Sequence, residues 1–170
     1  LTLCLLVYAT PLLAQSPQAC EGLRSLSLAN TVVTTAVVVS GSFTPPGATN
    51  PNATISNLPA FCRVAATLKP TADSEINTEI WLPMKNWNRK LQSVGNGAWA
   101  GTIPFGAMAS AVSTGYATAG TDTGHTGNTA SFVPGHPERL VDYGYRAVHE
   151  MTVVAKAIVR AFYGDGPRYS

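Results

Sequence analysis

The sequence contains little charge of either sign. Lys and Arg together number 11 and Asp and Glu number 9 among 170 residues, so the formal net charge is +2 at pH 7. A nucleic-acid-binding protein needs a dense basic surface to contact phosphates, and this composition does not provide one. We therefore expect no nucleic acid partner.

The sequence also lacks an uninterrupted apolar run long enough to span a bilayer. Residues 1–14 are uncharged, but a span needs about 20 apolar residues and Pro11 interrupts this shorter run. An apolar segment followed by small residues is typical of a cleaved export signal. We predict a partial signal peptide over residues 1–19, cleaved near Ala14 or Ala19, a secreted (extracellular or periplasmic) product and no stable membrane anchor.

Cysteine is scarce, with three residues in the chain. Cys4 lies in the predicted signal, which leaves Cys20 and Cys62 in an oxidising compartment. A disulfide between them is the economical interpretation, and two independent thiols are the alternative. The sequence does not show the closely spaced cysteine pairs of zinc sites, so we predict no metal site in it.

Three segments in the first half are rich in apolar and β-branched residues and predict strands, namely residues 31–43, 61–68 and 77–83. A polar loop is expected over residues 47–59. In the third strand, Ile80 and Leu82 are expected to face a core. Glu79 and Trp81 alternate with them and would lie on the opposite, uncovered face. The three strands predict an antiparallel hairpin or meander.

In the second half, predicted strands alternate with helices. Residues 90–94 and 116–121 predict strands, and residues 105–113 between them predict a short helix. This order indicates parallel strands with right-handed crossover helices. The fold class is therefore α/β, with antiparallel amino-terminal strands that lead into parallel ones.

A long amphipathic helix follows these strands. Its apolar row has a spacing of four and three residues and consists of Val141, Tyr145, Val148, Thr152, Ala155, Val159 and Phe162. Asp142 and Arg146 are expected on the opposite, polar side, one turn apart. Gly164 is expected to end the helix in a left-handed conformation.

A glycine-rich loop, residues 95–101, follows the first of the parallel strands. Gly95 and Gly97 permit backbone angles that other residues avoid, so bare N–H groups near Gly97 or Ala98 could face a developing negative charge. Gly95, Gly97 and Ala98 are therefore oxyanion-hole candidates. A tight turn that binds nothing is equally compatible. A dinucleotide-binding loop is a weaker alternative, because Trp99 is bulky and no acidic residue follows at the required distance.

A second glycine-rich loop, residues 122–127, follows the next strand and contains Asp122 and His125. Ligands of parallel sheets bind outside the carboxyl ends of the strands, so both loops are expected at one functional edge. Asp122 and His125 could form an acid–base pair or half of a metal site. The alternative is a hydrogen-bonded loop in which Asp122 caps backbone amides. No Ser, His and Asp in this sequence form a convincing triad.

Three motifs occur in order along the chain, followed by the turn Tyr163-Gly164. They are Trp87-Asn88-x-Lys90-Leu91-x-x-Val94-Gly95-Asn96-Gly97, Ala119-Gly120-Thr121-Asp122-Thr123-Gly124-His125 and Asp142-Tyr143-Gly144-Tyr145-Arg146-Ala147-Val148-His149. With this combination the sequence resembles the tannase and feruloyl esterase family of secreted α/β-hydrolases. The resemblance runs from about Cys20 to Ser170.

The resemblance implies that residues 20–170 are the amino-terminal part of an α/β-hydrolase catalytic domain, a partial sheet truncated before the nucleophile elbow. Gly97 is the favoured oxyanion donor, and Cys20 and Cys62 match the family's amino-terminal disulfide. In the family, a Cys-Ser-x-Gly-Gly elbow follows a segment like residues 168–170. The catalytic Asp and His come later, beyond a calcium-carrying lid. None of those positions occurs in this sequence, so we expect no cofactor in this segment.

The implied function is that of a secreted serine carboxylic ester hydrolase acting on small aromatic esters, such as hydroxycinnamates, gallates or related compounds. Because the triad is missing, the 170-residue chain by itself is predicted to be inactive. The alternative function is a non-catalytic secreted binding module, in which the glycine loops only shape a recognition surface.

Overall fold

A computed structural model describes residues 16–170 of the chain, so most of the predicted signal peptide lies outside the described residues. One mixed sheet of five strands forms the centre, in the order β1-β2-β3-β5-β4. The strands are β1 (Thr31–Phe43), β2 (Ile55–Leu68), β3 (Ile76–Pro83), β4 (Leu91–Val94) and β5 (Ala117–Thr121). The helices are α1 (Pro17–Gly22), α2 (Phe105–Ser113), α3 (Pro137–Val141) and α4 (Ala147–Tyr163), with a π-helical turn (Asp142–Arg146) between the last two.

The first three strands form the predicted antiparallel meander. The polar loop predicted over residues 47–59 is wrong in its second half, because β2 begins at Ile55 and pairs there with Phe43. A short 3-10 turn, Pro51–Ala53, makes the connection. Pairing with a long neighbouring strand extends β2 through residues whose polar composition favours a loop.

Strand β3 is buried on both faces, and the expectation of an uncovered side for Glu79 and Trp81 is wrong. Trp81 is fully buried, since α2 packs over that face of the sheet. Glu79 is 2% exposed and accepts hydrogen bonds from the side chains of Arg63 and Trp81. The Trp81 ring stacks on Phe61 with centroids 4.4 Å apart. On the opposite face, Ile80 and Leu82 belong to the core beneath α4, as predicted.

Among the five named strands, β4 and β5 form the parallel pair, and α2 connects them. β5 pairs on its other side with β3 in the antiparallel sense. Its small residues allow α2 to approach closely, because a Cβ placed on Gly120 would lie 2.9 Å from Met108 Sδ. The crossover predicted between the two strands is confirmed, and it sends the carboxyl ends of β4 and β5 to the same edge.

The long helix begins at Pro137 and ends at Tyr163, and Gly164 follows with a φ of 78°. The π-helical turn after α3 adds residues to one turn and rotates the buried face. Asp142 is consequently fully buried and Tyr145 is 65% exposed, the reverse of the predicted arrangement. Past this turn, the α4 face against the sheet includes Ala155, Val159 and Phe162, as expected. Val148 was predicted on the same face and is 38% exposed, so the prediction is wrong there.

Two features fix the periphery of the sheet. A disulfide joins Cys20 of α1 to Cys62 of β2, with a Cα–Cα distance of 5.6 Å. On the far edge, Lys90 and Tyr169 form a parallel bridge, in which the Leu91 amide donates to the Tyr169 carbonyl over 2.9 Å. Residues 168–170 thus lie beside the outer edge of β4. No helix within residues 16–170 is long and apolar enough to cross a bilayer.

Candidate functional site

The two glycine-rich loops meet at the carboxyl end of β4 and β5, as predicted. The Gly101 amide donates to the Gly127 carbonyl over 2.8 Å, and the two residues form an antiparallel bridge. His125 Nε2 lies 3.0 Å from the Trp99 carbonyl oxygen. Because that oxygen can only accept, Nε2 carries the hydrogen and donates it. The loops therefore form one connected surface.

The left-handed residue of the first loop is Ala98, not a glycine. Ala98 has a φ of 46° and follows Gly97 in a turn closed by the Ala100 amide, which donates to the Gly97 carbonyl over 3.1 Å. Neither Gly95 nor Gly97 has a positive φ, so the expectation that these glycines supply unusual backbone angles is wrong. A Cβ on either glycine would meet no atom within 4 Å, so both line open space.

Four successive carbonyls of this loop accept hydrogen bonds from the protein. The Gly97 carbonyl is held by the Ala100 amide, as above, and the Ala100 carbonyl accepts from Asn96 Nδ2 over 2.8 Å. The Trp99 carbonyl accepts from His125, and the Ala98 carbonyl accepts from the Tyr143 hydroxyl.

Several amides of the same loop, unlike its carbonyls, are not held by hydrogen bonds within the described part of the chain. Within residues 16–170, the N–H groups of Gly97, Ala98 and Trp99 donate to no protein acceptor. A trans peptide points its N–H away from the preceding C=O. The Ala98 and Trp99 amides thus face away from the groups that hold the carbonyls of Gly97 and Ala98. This leaves backbone donors free at the sheet edge, the type of donor that stabilises an oxyanion.

An aromatic cluster supports the loop from one side. The Trp99 and Tyr143 rings stack with centroids 4.6 Å apart, and His125 stacks on Phe132 at 3.9 Å. Tyr143 comes from the π-helical turn, which sequence reasoning treated as ordinary helix. The residue lies within the third motif, but no periodicity in the sequence indicated that it reaches the loop.

Asp122 caps backbone amides, which was the predicted alternative to an acid–base pair or half of a metal site. Its carboxylate accepts from the Gly124 amide over 2.8 Å, and from the amide and side chain of Asn77 over 3.0 and 2.8 Å. Burial raises the pKa of Asp122 above its ordinary value, and these hydrogen bonds only partly oppose the rise. His125 bonds to Trp99 and Thr123 instead. The acid–base pair between Asp122 and His125 is therefore not formed.

Sequence reasoning also missed a buried ion pair that lines a groove beside the loop. Arg63 and Glu79 form a salt bridge in which Arg63 Nε lies 3.0 and 3.1 Å from the two carboxylate oxygens. The groove has a volume of about 580 Å³ and also contacts Asp122 and Phe105. Burial raises the pKa of Glu79, and the Arg63 guanidinium opposes that rise. The alternation of residues along β2 and β3 could have placed both on one face.

Metal ligands do not converge anywhere in the described part of the chain. Within residues 16–170, no three His, Cys, Asp or Glu side chains are close enough together to hold a metal ion. These residues therefore do not fit the calcium that the family resemblance implies for the lid.

Sequence comparisons agree with this geometry. The family model described as tannase and feruloyl esterase matches residues 62–170. An uncharacterized esterase from Xanthomonas campestris is 40% identical over 160 residues, which cover 92% of this chain and 27% of that protein. Feruloyl esterase B from Aspergillus niger is 39% identical over 110 residues, which cover 65% of this chain and 21% of that protein.

Solved structures give the same result. Feruloyl esterase B from Aspergillus oryzae superposes with a TM-score of 0.80 at 32% identity, covering 90% of this chain and 31% of that structure. Tannin acyl hydrolase from Aspergillus niger shares the fold, with a TM-score of 0.63 at 22% identity, covering 91% of this chain and 31% of that structure. The chain thus spans between a fifth and a third of the length of these relatives. It belongs to the tannase and feruloyl esterase family.

Proposed function

We propose that this chain is the amino-terminal part of a secreted serine esterase that cleaves small aromatic esters, and that it supplies one side of the oxyanion hole. The observation that carries the proposal is the row of free amides at Gly97 and Ala98, beside held carbonyls at the carboxyl end of β4. The names of the relatives, feruloyl esterase and tannin acyl hydrolase, support an aromatic acid as the acyl group.

The bridge between Lys90 and Tyr169 supports a position for the nucleophile. Gly95 lies five residues after Lys90 (90 to 95). A parallel strand that continues from Tyr169 at about 3.3 Å per residue would reach the level of Gly95 about five residues later. A nucleophile turn at that strand end would face the free amides of the loop. This is the arrangement of α/β-hydrolases, in which the serine lies on a strand-to-helix turn.

In the proposed reaction, the serine of the later segment attacks the carbonyl carbon of the ester, and the carbonyl oxygen becomes negatively charged. The Gly97 or Ala98 amide donates to this oxygen, together with the amide that follows the nucleophile. Loss of one such donor typically lowers kcat by about 100- to 1000-fold. Asp122 and His125 are not assigned a proton transfer in this step, because Asp122 caps backbone amides and His125 holds a carbonyl.

Secretion is part of the proposal. The Cys20–Cys62 disulfide is consistent with an oxidising compartment, and the apolar sequence over residues 1–14 has the composition of an export signal. Since calcium does not fit residues 16–170, any calcium-carrying lid is proposed to belong to the part of the relatives that this chain does not span.

The proposal is tested by assaying the complete product of the gene and the 170-residue chain side by side on methyl ferulate, methyl gallate and an aliphatic methyl ester. We expect the complete product to hydrolyse an aromatic ester and the 170-residue chain to hydrolyse none. Activity of the short chain that a serine-directed phosphonate abolishes would contradict the proposal. Binding of aromatic esters without turnover by the complete product would favour the non-catalytic module.

A further inference from the structure

We infer that Tyr143 and His125 are positioning residues, which hold the Ala98 and Trp99 carbonyls and thereby fix the loop backbone that carries the free Ala98 amide. The peptide that His125 holds carries the Ala100 amide, which in turn holds the Gly97 carbonyl and with it the peptide of the Ala98 amide. The inference rests on the proposed function and adds residues to its oxyanion site. Neither side chain touches the reacting atoms in this role. Each acts through the peptide carbonyl that it holds.

Tyr143 reaches the loop because of the π-helical turn. Its hydroxyl donates to the Ala98 carbonyl, and its ring stacks on Trp99. The turn is fixed in place by fully buried Asp142, whose side chain binds Arg146 over 3.0 Å and packs against Gly124 of the second loop. A regular helix would rotate Tyr143 away from this position, and π-helical turns are frequent at functional sites.

His125 lies in the loop that follows β5 and holds the Trp99 carbonyl. The residue is 6% exposed, and its ring lies between Phe132 and the loop. Its Nε2 hydrogen bonds to the Trp99 carbonyl, and its own backbone lies against Gly101. Two successive carbonyls are therefore held by two side chains from different elements.

The conformation of Ala98 explains why such restraint is needed. A residue with a side chain at a φ of 46° is strained, and such conformations persist where the surrounding structure enforces them. If Tyr143 releases the Ala98 carbonyl, the backbone at Ala98 can relax to a negative φ, which rotates the peptide between Gly97 and Ala98. The Ala98 amide, which belongs to that peptide, then turns away from the oxyanion, while the substrate's acid and alcohol groups keep their binding contacts. The loss is expected in kcat and not in KM.

The experiment compares Tyr143→Phe with Tyr145→Phe in the complete gene product. Tyr145 lies in the same π-helical turn and is 65% exposed, so it controls for loss of a hydroxyl there. We expect Tyr143→Phe to lower kcat by about 10- to 100-fold with little change in KM. The affinity for a boronic acid, which forms a tetrahedral adduct with the serine, should fall by a similar factor. The affinity for the product acid should not change.

The second arm tests His125 by conservative rescue. His125→Gln keeps an N–H near the position of Nε2, whereas His125→Leu removes it. We expect the Leu variant to lose kcat and the Gln variant to recover most of it. Unchanged kcat and boronate affinity in Tyr143→Phe, with an active parent, would overturn this inference and leave the proposed function intact. A parent that hydrolyses no ester would instead overturn the proposed function. Equal loss of boronate and product affinity in Tyr143→Phe would also overturn the positioning role.

Discussion

Gly101 lies against the backbone of His125 so closely that a Cβ on Gly101 would be 2.5 Å from the His125 carbonyl oxygen. The contact joins the two loops that form the candidate site. The nearest atom is a backbone carbonyl oxygen, which cannot move aside as the end of a flexible side chain would. The glycine at this position is therefore required for packing and not for its backbone angles.

Gly101→Ala is predicted to lower the free energy of unfolding by about 1–3 kcal/mol, because the added methyl group forces the loops apart. Gly97→Ala is the matched control, since a Cβ there meets no atom within 4 Å. Urea unfolding of both variants of the purified protein measures the difference. Equal stability of the two variants would show that the loops do not pack as described.

The buried ion pair gives a second prediction. Arg63→Met should lower the free energy of unfolding by about 3–5 kcal/mol, because it leaves the buried Glu79 carboxylate without its counter-charge. The double variant Arg63→Met with Glu79→Gln should recover much of the loss. Lys69→Met is the control, since the Lys69–Glu75 pair is exposed, and it should cost less than about 1 kcal/mol.

The parent, the single variants Arg63→Met and Glu79→Gln, and the double variant form a mutant cycle, with Lys69→Met as an external control. All five proteins are measured by urea unfolding at neutral pH. A cost for Arg63→Met no larger than that for Lys69→Met would contradict the prediction. It would mean that water reaches Glu79 in solution.

A third prediction concerns pH. Burial raises the pKa of Asp122 in the folded state above its ordinary value of 3.8, so the folded protein binds this proton more tightly than the unfolded chain. The associated stability is present below pH 3.8 and is lost as the pH rises through the folded pKa. Asp122→Asn cannot titrate and should lack this dependence. The melting temperature of the parent should therefore fall relative to that of the variant as the pH rises.

The measurement is the melting temperature of the parent and of Asp122→Asn, taken at a series of pH values from below 3.8 upward. The variant also loses one of the two acceptor oxygens, which shifts its curve without changing its slope. Parallel curves, or a parent that gains stability over the variant as the pH rises, would contradict the prediction.

The disulfide gives a fourth prediction. It connects residues separated by 42 positions, and a chain-entropy estimate for a loop of this length gives about 4 kcal/mol of stabilisation. Replacing both Cys20 and Cys62 with Ala should therefore lower the midpoint of urea unfolding markedly. Added reductant should lower the stability of the parent and leave that of the variant unchanged. If reductant lowered the stability of both the parent and the variant, the loss would not come from the Cys20–Cys62 disulfide, and the prediction would be contradicted.

Much of the fold could be predicted from local patterns. The β-branched run of β1 and the small apolar residues of α2 gave strand and helix at the observed positions, because neither depends on distant partners. The burial of Glu79 and Trp81 could not be predicted from alternation along β3. Trp81 is covered by α2, which packs on that face from a distant part of the chain, and Glu79 bonds to Trp81 and to Arg63 of the neighbouring strand.

The candidate site was predicted in its location but not in its construction. Alternation of strands and helices placed both loops at one edge. Glycine content suggested unusual backbone angles at Gly95 and Gly97, whereas the structure has them at Ala98, which tertiary hydrogen bonds hold. The π-helical turn that supplies Tyr143 could not be predicted from the sequence. The residues before, within and after it fit the four-and-three spacing of one continuous amphipathic helix. The role of the loop as an oxyanion hole stays a prediction.

The most direct test of the central claim is to label the complete gene product with a fluorophosphonate and to map the modified peptide by mass spectrometry. The account predicts a single labelled serine within about ten residues after Ser170, on the turn that a strand beside β4 would reach. Absence of labelling in the folded protein, or a labelled serine elsewhere in the sequence, would contradict it.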